Sequence, residues 1–283
     1  MRSYSDAARR GLRSFVLRGT TINSNLNSDR RQASGSRSRS RKTRYTLALL
    51  AAAVLVVSAG CTVWRVNDAK ALAKASEPFQ AEPAGATASI LIIGDSTAVG
   101  TGASAPPRSI AGLIAQSRPG LRVVNRATDG ARYADFAAQL QQDTQKFDTV
   151  LVLGGGNDVI RLTSEGELRQ SVDTVAELAA RRGKRVILMP PGNVGNAPFF
   201  FVPASWLMTR RSQTLHGLVR DAATRTGATY VNLYKPKALD PFAQRPGELH
   251  ASDGLHPSDA GYREWMSELN RQAQLDTTLA ALR

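Results

Sequence analysis

Five short apolar runs, at residues 90–93, 123–125, 150–153, 186–189 and 230–233, recur through the chain from position 89 onward. Each is followed by a longer stretch, and helical spacing of apolar residues is clearest within 133–142, 168–182, 210–226 and 258–272. Strands alternating with helices require βαβ units and a parallel sheet. The expected fold is therefore α/β: a flavodoxin-like three-layer α/β/α sandwich on a five-stranded parallel sheet, over residues 89–283. Sheets of this kind bind ligands at the carboxyl ends of their strands. The residues just after each run are thus where chemistry is expected.

The sequence before position 89 is different in character. Residues 1–44 hold 12 Lys/Arg against 2 Asp/Glu, within a formal charge of +14 for all 283 residues. The remainder carries a net +4. Basic character therefore belongs to an Arg/Ser-rich tail, expected to be disordered, and a nucleic-acid-binding fold is disfavoured. Residues 45–64 are uncharged and mostly apolar. As a helix that run is about 30 Å long, enough to cross a bilayer core. Arg41, Lys42 and Arg44 precede it and Arg65 follows. The stronger cluster should keep the N-terminus cytoplasmic and place the rest outside, in the cell envelope. A buried core helix is the competing reading. Cys61, the single cysteine, closes the series Val57-Ser58-Ala59-Gly60-Cys61. This is similar to a bacterial lipoprotein processing site, although Ser58 stands where Leu or Val is usual. A signal anchor, a lipid anchor at Cys61 and a cleaved signal all stay open. Residues 65–88, rich in Ala, Glu, Lys and Pro, read as a linker.

Four blocks could carry chemistry. Gly94-Asp95-Ser96 follows the first run, where a tight turn lifts a serine hydroxyl above the sheet; an ordinary helix cap explains the same residues. Gly130, after the second run, can present its N–H to a ligand, or simply make a turn. Gly154-Gly155-Gly156-Asn157-Asp158 follows the third run. Its glycines admit a substrate, and the Asn157 amide is a neutral donor for an oxyanion. No Lys-Ser/Thr pair follows them, against a phosphate loop. Asp253-Gly254-Leu255-His256-Pro257 precedes the last helix, with Asp and His spaced so that a carboxylate can orient an imidazole. Asp259 is a rival for that orienting role. His216 and His250 read as non-catalytic. No Cys/His/carboxylate cluster has metal-ligand spacing, and no cofactor is expected.

Together the order Ser, Gly, Asn, then Asp-x-x-His-Pro resembles the SGNH or GDSL hydrolase family over roughly residues 89–270. The resemblance implies metal-free ester or thioester hydrolysis. It implies a catalytic set of Ser96, Asp253 and His256, with Ser96 N–H, Gly130 N–H and the Asn157 side chain as the oxyanion hole. Thr97-Ala98-Val99-Gly100 departs from the Leu that often follows the first block. Among substrates, acyl esters of lipids or small acyl groups lead, with carbohydrate O-deacetylation as the alternative. A non-catalytic envelope binding protein that keeps the fold is the reading from another class. Phe199, Phe200, Phe201 and Trp206, after the fourth run, are the expected apolar substrate wall, or else core.

Overall fold

The computed structural model describes residues 29–275, with side chains from residue 43 onward except those at 51, 54, 55, 58, 59 and 62. Contacts divide the chain into two units, Met1–Ser58 and Ala59–Arg283. Helix α1, Asp29–Ala75, supplies residues to both. Residues 29–44 of the tail are therefore helical, where disorder was expected; residues 1–28 lie outside the described residues. Arg, Lys and Ala are good helix formers, and extending an existing helix avoids the cost of nucleating one. Among the described residues no helix is long and apolar enough to cross a membrane. The run at 45–64 includes the six positions whose side chains lie outside the described ones.

The second unit carries the sheet. In chain order its elements are β1 (Ala88–Gly94), α2 (Ser96–Val99), α3 (Ile110–Ser117), β2 (Leu121–Asn125), α4 (Tyr133–Gln141) and β3 (Phe147–Leu153). Then follow α5 (Gly156–Ile160), α6 (Glu165–Arg182), β4 (Gly183–Met189), α7 (Ala204–Thr226), β5 (Thr229–Tyr230), α8 (Pro241–Gln244), α9 (Pro246–Leu249) and α10 (Asp259–Ala273). All strand pairs are parallel, in the order β2-β1-β3-β4-β5. This is the expected flavodoxin-like sheet. β1 lies between β2 and β3, with Ile90 opposite both Val123 and Thr149. Connection direction reverses between β1 and β3, and the crevice this opens lies at their carboxyl ends.

The strands alternate faces with period two. Leu91, Ile93, Val150, Val152 and Leu188 point to one side, against α4, α6 and α7. Ile90, Ile92, Leu151, Leu153 and Ile187 point to the other, against Ile110 and Ile114 of α3 and Tyr262, Trp265 and Leu269 of α10. Both faces are covered, so β1 and β3 read as continuous apolar runs. The fifth strand is shorter than its run: Val231 still donates to Leu188 O at 2.9 Å, and the chain then leaves the sheet. The short helix α3 gave no clear periodic signal, but its start is marked by Pro106-Pro107 and by Ser109, whose side chain accepts from Gly112 N at 3.2 Å.

Residues 65–88 are not a free linker. Through Ala75 they continue α1, and Phe79 and Ala81 pack against the core beside α3 and α10. Ala81 and Val123 exchange N–H···O bonds of 3.0 and 2.8 Å, an antiparallel bridge on the outer edge of β2. The Gln80 side chain bonds the N–H and C=O of Asn125 at 2.9 and 2.7 Å. A composition rich in Ala and Pro does not reveal such pairings, because they depend on what lies across space. If this segment belongs to the domain, Phe79→Ala destabilises it by about 1–3 kcal/mol, less than a fully buried Phe because Phe79 is half-buried. The measurement is a urea transition midpoint; an unshifted midpoint returns the segment to linker status.

Candidate active site

The site is assembled from loops at the carboxyl ends of the strands. Gly94 closes β1 with φ +150°, and a Cβ there would lie 1.8 Å from Leu153 O. Only glycine lets β1 and β3 run this close at the turn. The buried Gln139 side chain of α4 holds the same residue, accepting from Gly94 N at 2.8 Å and donating to Gly94 O at 2.9 Å. Asp95 follows, 1% exposed. Its Oδ1 accepts from Thr97 N and Thr97 Oγ1 at 3.0 and 2.7 Å, capping α2. Its Oδ2 accepts from Gly155 N and Gly156 N at 2.8 and 3.1 Å. A Cβ on Gly154 would sit 2.7 Å from Asp95 Cγ, so that glycine is what lets the two loops meet.

Ser96 therefore starts α2 at a fixed distance from the β3 loop. Its Oγ lies 2.9 Å from His256 Nε2, and His256 Nδ1 lies 2.5 Å from Asp253 Oδ2. The three residues come from sequence positions 160 apart at their extremes. The loop that carries Asp253 and His256 is pinned at its base: Ala251 N donates to His256 O at 2.8 Å and Ser258 N to Leu249 O at 2.9 Å. Ser258 also caps α10, accepting from Gly261 N at 3.2 Å.

Asp253 is fully buried, and burial pushes its carboxyl up. The hydrogen bond from His256, the electrostatic attraction of its ring and the N–H groups of Leu255 and His256 on Oδ1 outweigh that and hold it below the ordinary carboxylate range. Asp253 is the carboxylate that meets the His256 ring. Asp259 points elsewhere, accepting from Ser104 N and Ser104 Oγ at 2.8 and 2.7 Å.

Gly130 and Asn157 open on the same cavity as Ser96 and His256, a space of about 350 Å³. Asn157 Nδ2 donates to Ala131 O at 3.2 Å, which leaves its second amide hydrogen for a ligand. Neighbouring Asp158 accepts from Tyr133 N at 2.9 Å, so the third block grips the segment after Gly130 twice. The Ser96 and Gly130 N–H groups donate to no protein acceptor among the described residues. A hydroxyl in contact with an imidazole, an imidazole held by a carboxylate, and Gly130 and Asn157 on the same cavity make an arrangement that can support serine-hydrolase chemistry. Among the described residues no three His, Cys, Asp or Glu side chains are grouped to hold a metal ion.

Residues 92–264 match the family described as GDSL-like Lipase/Acylhydrolase family. The chain belongs to this family. Solved structures similar to the GDSL hydrolase include LAE5, an alpha/beta hydrolase enzyme from the metagenome of Lake Arreo, Spain, at 25% identity and TM-score 0.54, covering 69% of this chain and 97% of that one. TesA is similar at 20% identity and TM-score 0.52, covering 69% and 99%. Axe2, an acetylxylan esterase from Geobacillus stearothermophilus, is similar at 22% identity and TM-score 0.50, covering 66% and 94%. At these lower identities the last two bear on the fold alone. Comparison with curated protein sequences gives no match.

The expected aromatic wall of the hydrolase divides in the structure. Phe199 lines the cavity, and its N–H donates to Gly254 O at 3.0 Å, tying it to the Asp253–His256 turn. Phe200 packs against the core instead. Phe201 and Trp206 are 55% and 66% exposed and do not line the cavity. A loop that must cross the active face can send only some of its side chains inward. Leu233, Phe242 and Trp265 supply apolar walls that no motif announced, beside Leu255 of the fourth block. His216 is a satisfied core residue, its ring nitrogens bonded to Tyr230 Oη at 2.6 Å and Pro191 O at 2.7 Å, and burial pushes it down to about 4. His250 does line the cavity, stacked edge-on to Phe242, with Nδ1 3.2 Å from Pro246 O.

Asp253→Asn should lower kcat about 10⁴-fold across neutral and alkaline pH, because the imidazole loses the partner that fixes its tautomer. Asp259→Asn should stay near parental rates; the reverse pattern in paired pH–rate profiles transfers the role to Asp259. The depressed Asp253 carboxyl also contributes stability that is present above the unfolded-state value of about 3.9 and lost as pH falls through its lower folded value. The parent's stability advantage over Asp253→Asn therefore shrinks in acid, which denaturation below about pH 4 reads directly.

Proposed function

We propose that the hydrolase cleaves carboxylic esters of apolar acyl groups through an acyl intermediate on Ser96. The observation that carries this reading is the continuous line Ser96 Oγ–His256–Asp253, opening into a cavity whose walls are mainly apolar. His256 Nε2 takes the hydroxyl proton as Ser96 Oγ attacks the ester carbonyl. Asp253 accepts the Nδ1–H and stabilises the imidazolium so formed. The Ser96 and Gly130 N–H groups and the Asn157 amide receive the oxyanion. His256 then protonates the leaving alcohol. In the second half a water gives its proton to His256 and attacks the acyl carbon, releasing the acid and restoring Ser96.

Ser96→Ala should abolish labelling by a fluorophosphonate and lower kcat by up to about 10⁶-fold while leaving the thermal transition in place. A variant that still labels and turns over sinks the assignment. Asn157→Ala should lower kcat by about 10² to 10³ with little change in KM, since its donor meets full negative charge in the transition state. A raised KM with unchanged kcat makes Asn157 a ground-state binding residue instead.

The small-acyl alternative, deacetylation of a carbohydrate, is separated by turnover of p-nitrophenyl esters of graded length. A clear preference for acetyl favours it. The uncharged run at 45–64, with its stronger basic cluster on the N-terminal side, supports a further part of the proposal: a tether that leaves the catalytic unit outside the cytoplasm. A reporter fused after Arg283 should be active outside the cytoplasm, and Cys61→Ser should release the protein from membranes only if a lipid holds it. A soluble cytoplasmic protein rules the topology out.

A further inference from the structure

The last turns of α1 read Val66-Asn67-Asp68-Ala69-Lys70-Ala71-Leu72-Ala73-Lys74-Ala75. Val66, Ala69, Lys70 and Ala73 recur at intervals that share one helical face. All four line the cavity that holds Ser96, Gly130 and His256. Asn67, Ala71 and Lys74, on the other side, are exposed.

This placement is anchored at both ends. The Arg65 guanidinium donates to Pro198 O and lies over the Phe201 ring, 4.9 Å from its centroid. Pro198 and Phe201 flank Phe199, which lines the cavity and bonds to the turn between Asp253 and His256. At the other end, Phe79 packs into the core and Ala81 bridges to β2. The helix is thus held to the active-site loops before the wall begins and to the sheet after it ends. Two alanines at the cavity lining leave space there that larger side chains would take.

We propose that this face of α1 is the wall that sets acyl-chain length, with Ala69 and Ala73 as specificity-determining residues. The proposal rests on the acyl-ester reading of the site. Each replacement of Ala by Leu adds three carbons on the cavity side, space that the far end of a long acyl chain would otherwise occupy. A short acyl group, held beside Ser96, does not reach it. Both residues are good helix formers, so the helix itself is preserved.

The test uses the full chain and p-nitrophenyl acetate and octanoate. Ala69→Leu and Ala73→Leu should each lower kcat/KM for octanoate by at least about tenfold, in the range by which apolar pockets discriminate chain length. Acetate turnover should stay within about twofold of the parent. Val66→Ala should move the preference the other way. Ala71→Leu, on the exposed face, is the matched control and should track the parent on both esters. Rates of Ser96 labelling by short- and long-alkyl fluorophosphonates give the same ranking without turnover. Equal losses on the two esters, or profiles no different from Ala71→Leu, overturn the wall while the active parent leaves the esterase reading standing. A parent confined to acetyl esters also overturns it. A parent that neither labels nor hydrolyses any ester overturns the esterase reading and the wall together.

Discussion

The site depends on a single buried carboxyl group. Asp95 sits where β1 ends, out of water, and a buried acceptor of that kind is tolerated only when its oxygens are satisfied. One oxygen takes the N–H and hydroxyl of Thr97; the other takes the N–H groups of Gly155 and Gly156. The first pair fixes the helix that begins at Ser96. The second fixes the turn that leads into α5 and Asn157. Ser96 and Asn157 are therefore tied through one side chain, although 60 residues separate Asp95 from Gly155. Glycines at 94 and 154 are the steric condition for this arrangement, because a Cβ at either would strike the opposite strand or the carboxyl itself.

Much of this was legible in the sequence, and for a physical reason. Strands buried on both faces must be apolar at every position, so β1, β3 and β4 announce themselves without ambiguity. Ser96, Gly130, Asn157, Asp253 and His256 all fall soon after strands or just before the last helix, and the structure places all five around one cavity or in its hydrogen-bonded line. The spacing of Asp253 and His256 fits a turn that returns the carboxylate to Nδ1, and it does so while also binding two backbone N–H groups. Asp95 was visible as part of the first block, but its reach to the third was not. A hydrogen bond across 60 residues leaves no periodicity.

What stayed hidden shares that character. Leu233, Phe242 and Trp265 are ordinary apolar residues whose meaning comes from the cavity they meet. The aromatic run at 199–201 suggested a wall, yet the backbone turns one ring inward, one into the core and one toward Arg65. Composition misled most over residues 65–88. Ala, Lys, Glu and Pro are typical of a spacer, and here the same residues make a helix that faces the site and an extended segment that pairs with the sheet. Small side chains give no signal in a hydrophobicity profile, but they are what allows close approach without filling the space between.

The bridge between Ala81 and Val123 has a consequence beyond local packing. β2 is a terminal strand, and its outward N–H and C=O groups would otherwise form an open ladder. Ala81 satisfies Val123 and the Gln80 amide satisfies Asn125, so the ladder is closed by the chain's own preceding segment. The opposite border, β5, is only two residues long and offers little to pair with. A fragment trimmed back to its first strand would keep Ser96, Asp253 and His256 and still leave the outward groups of β2 uncovered. Residues 80 and 81 thus cover an edge that a fragment beginning at β1 would leave open.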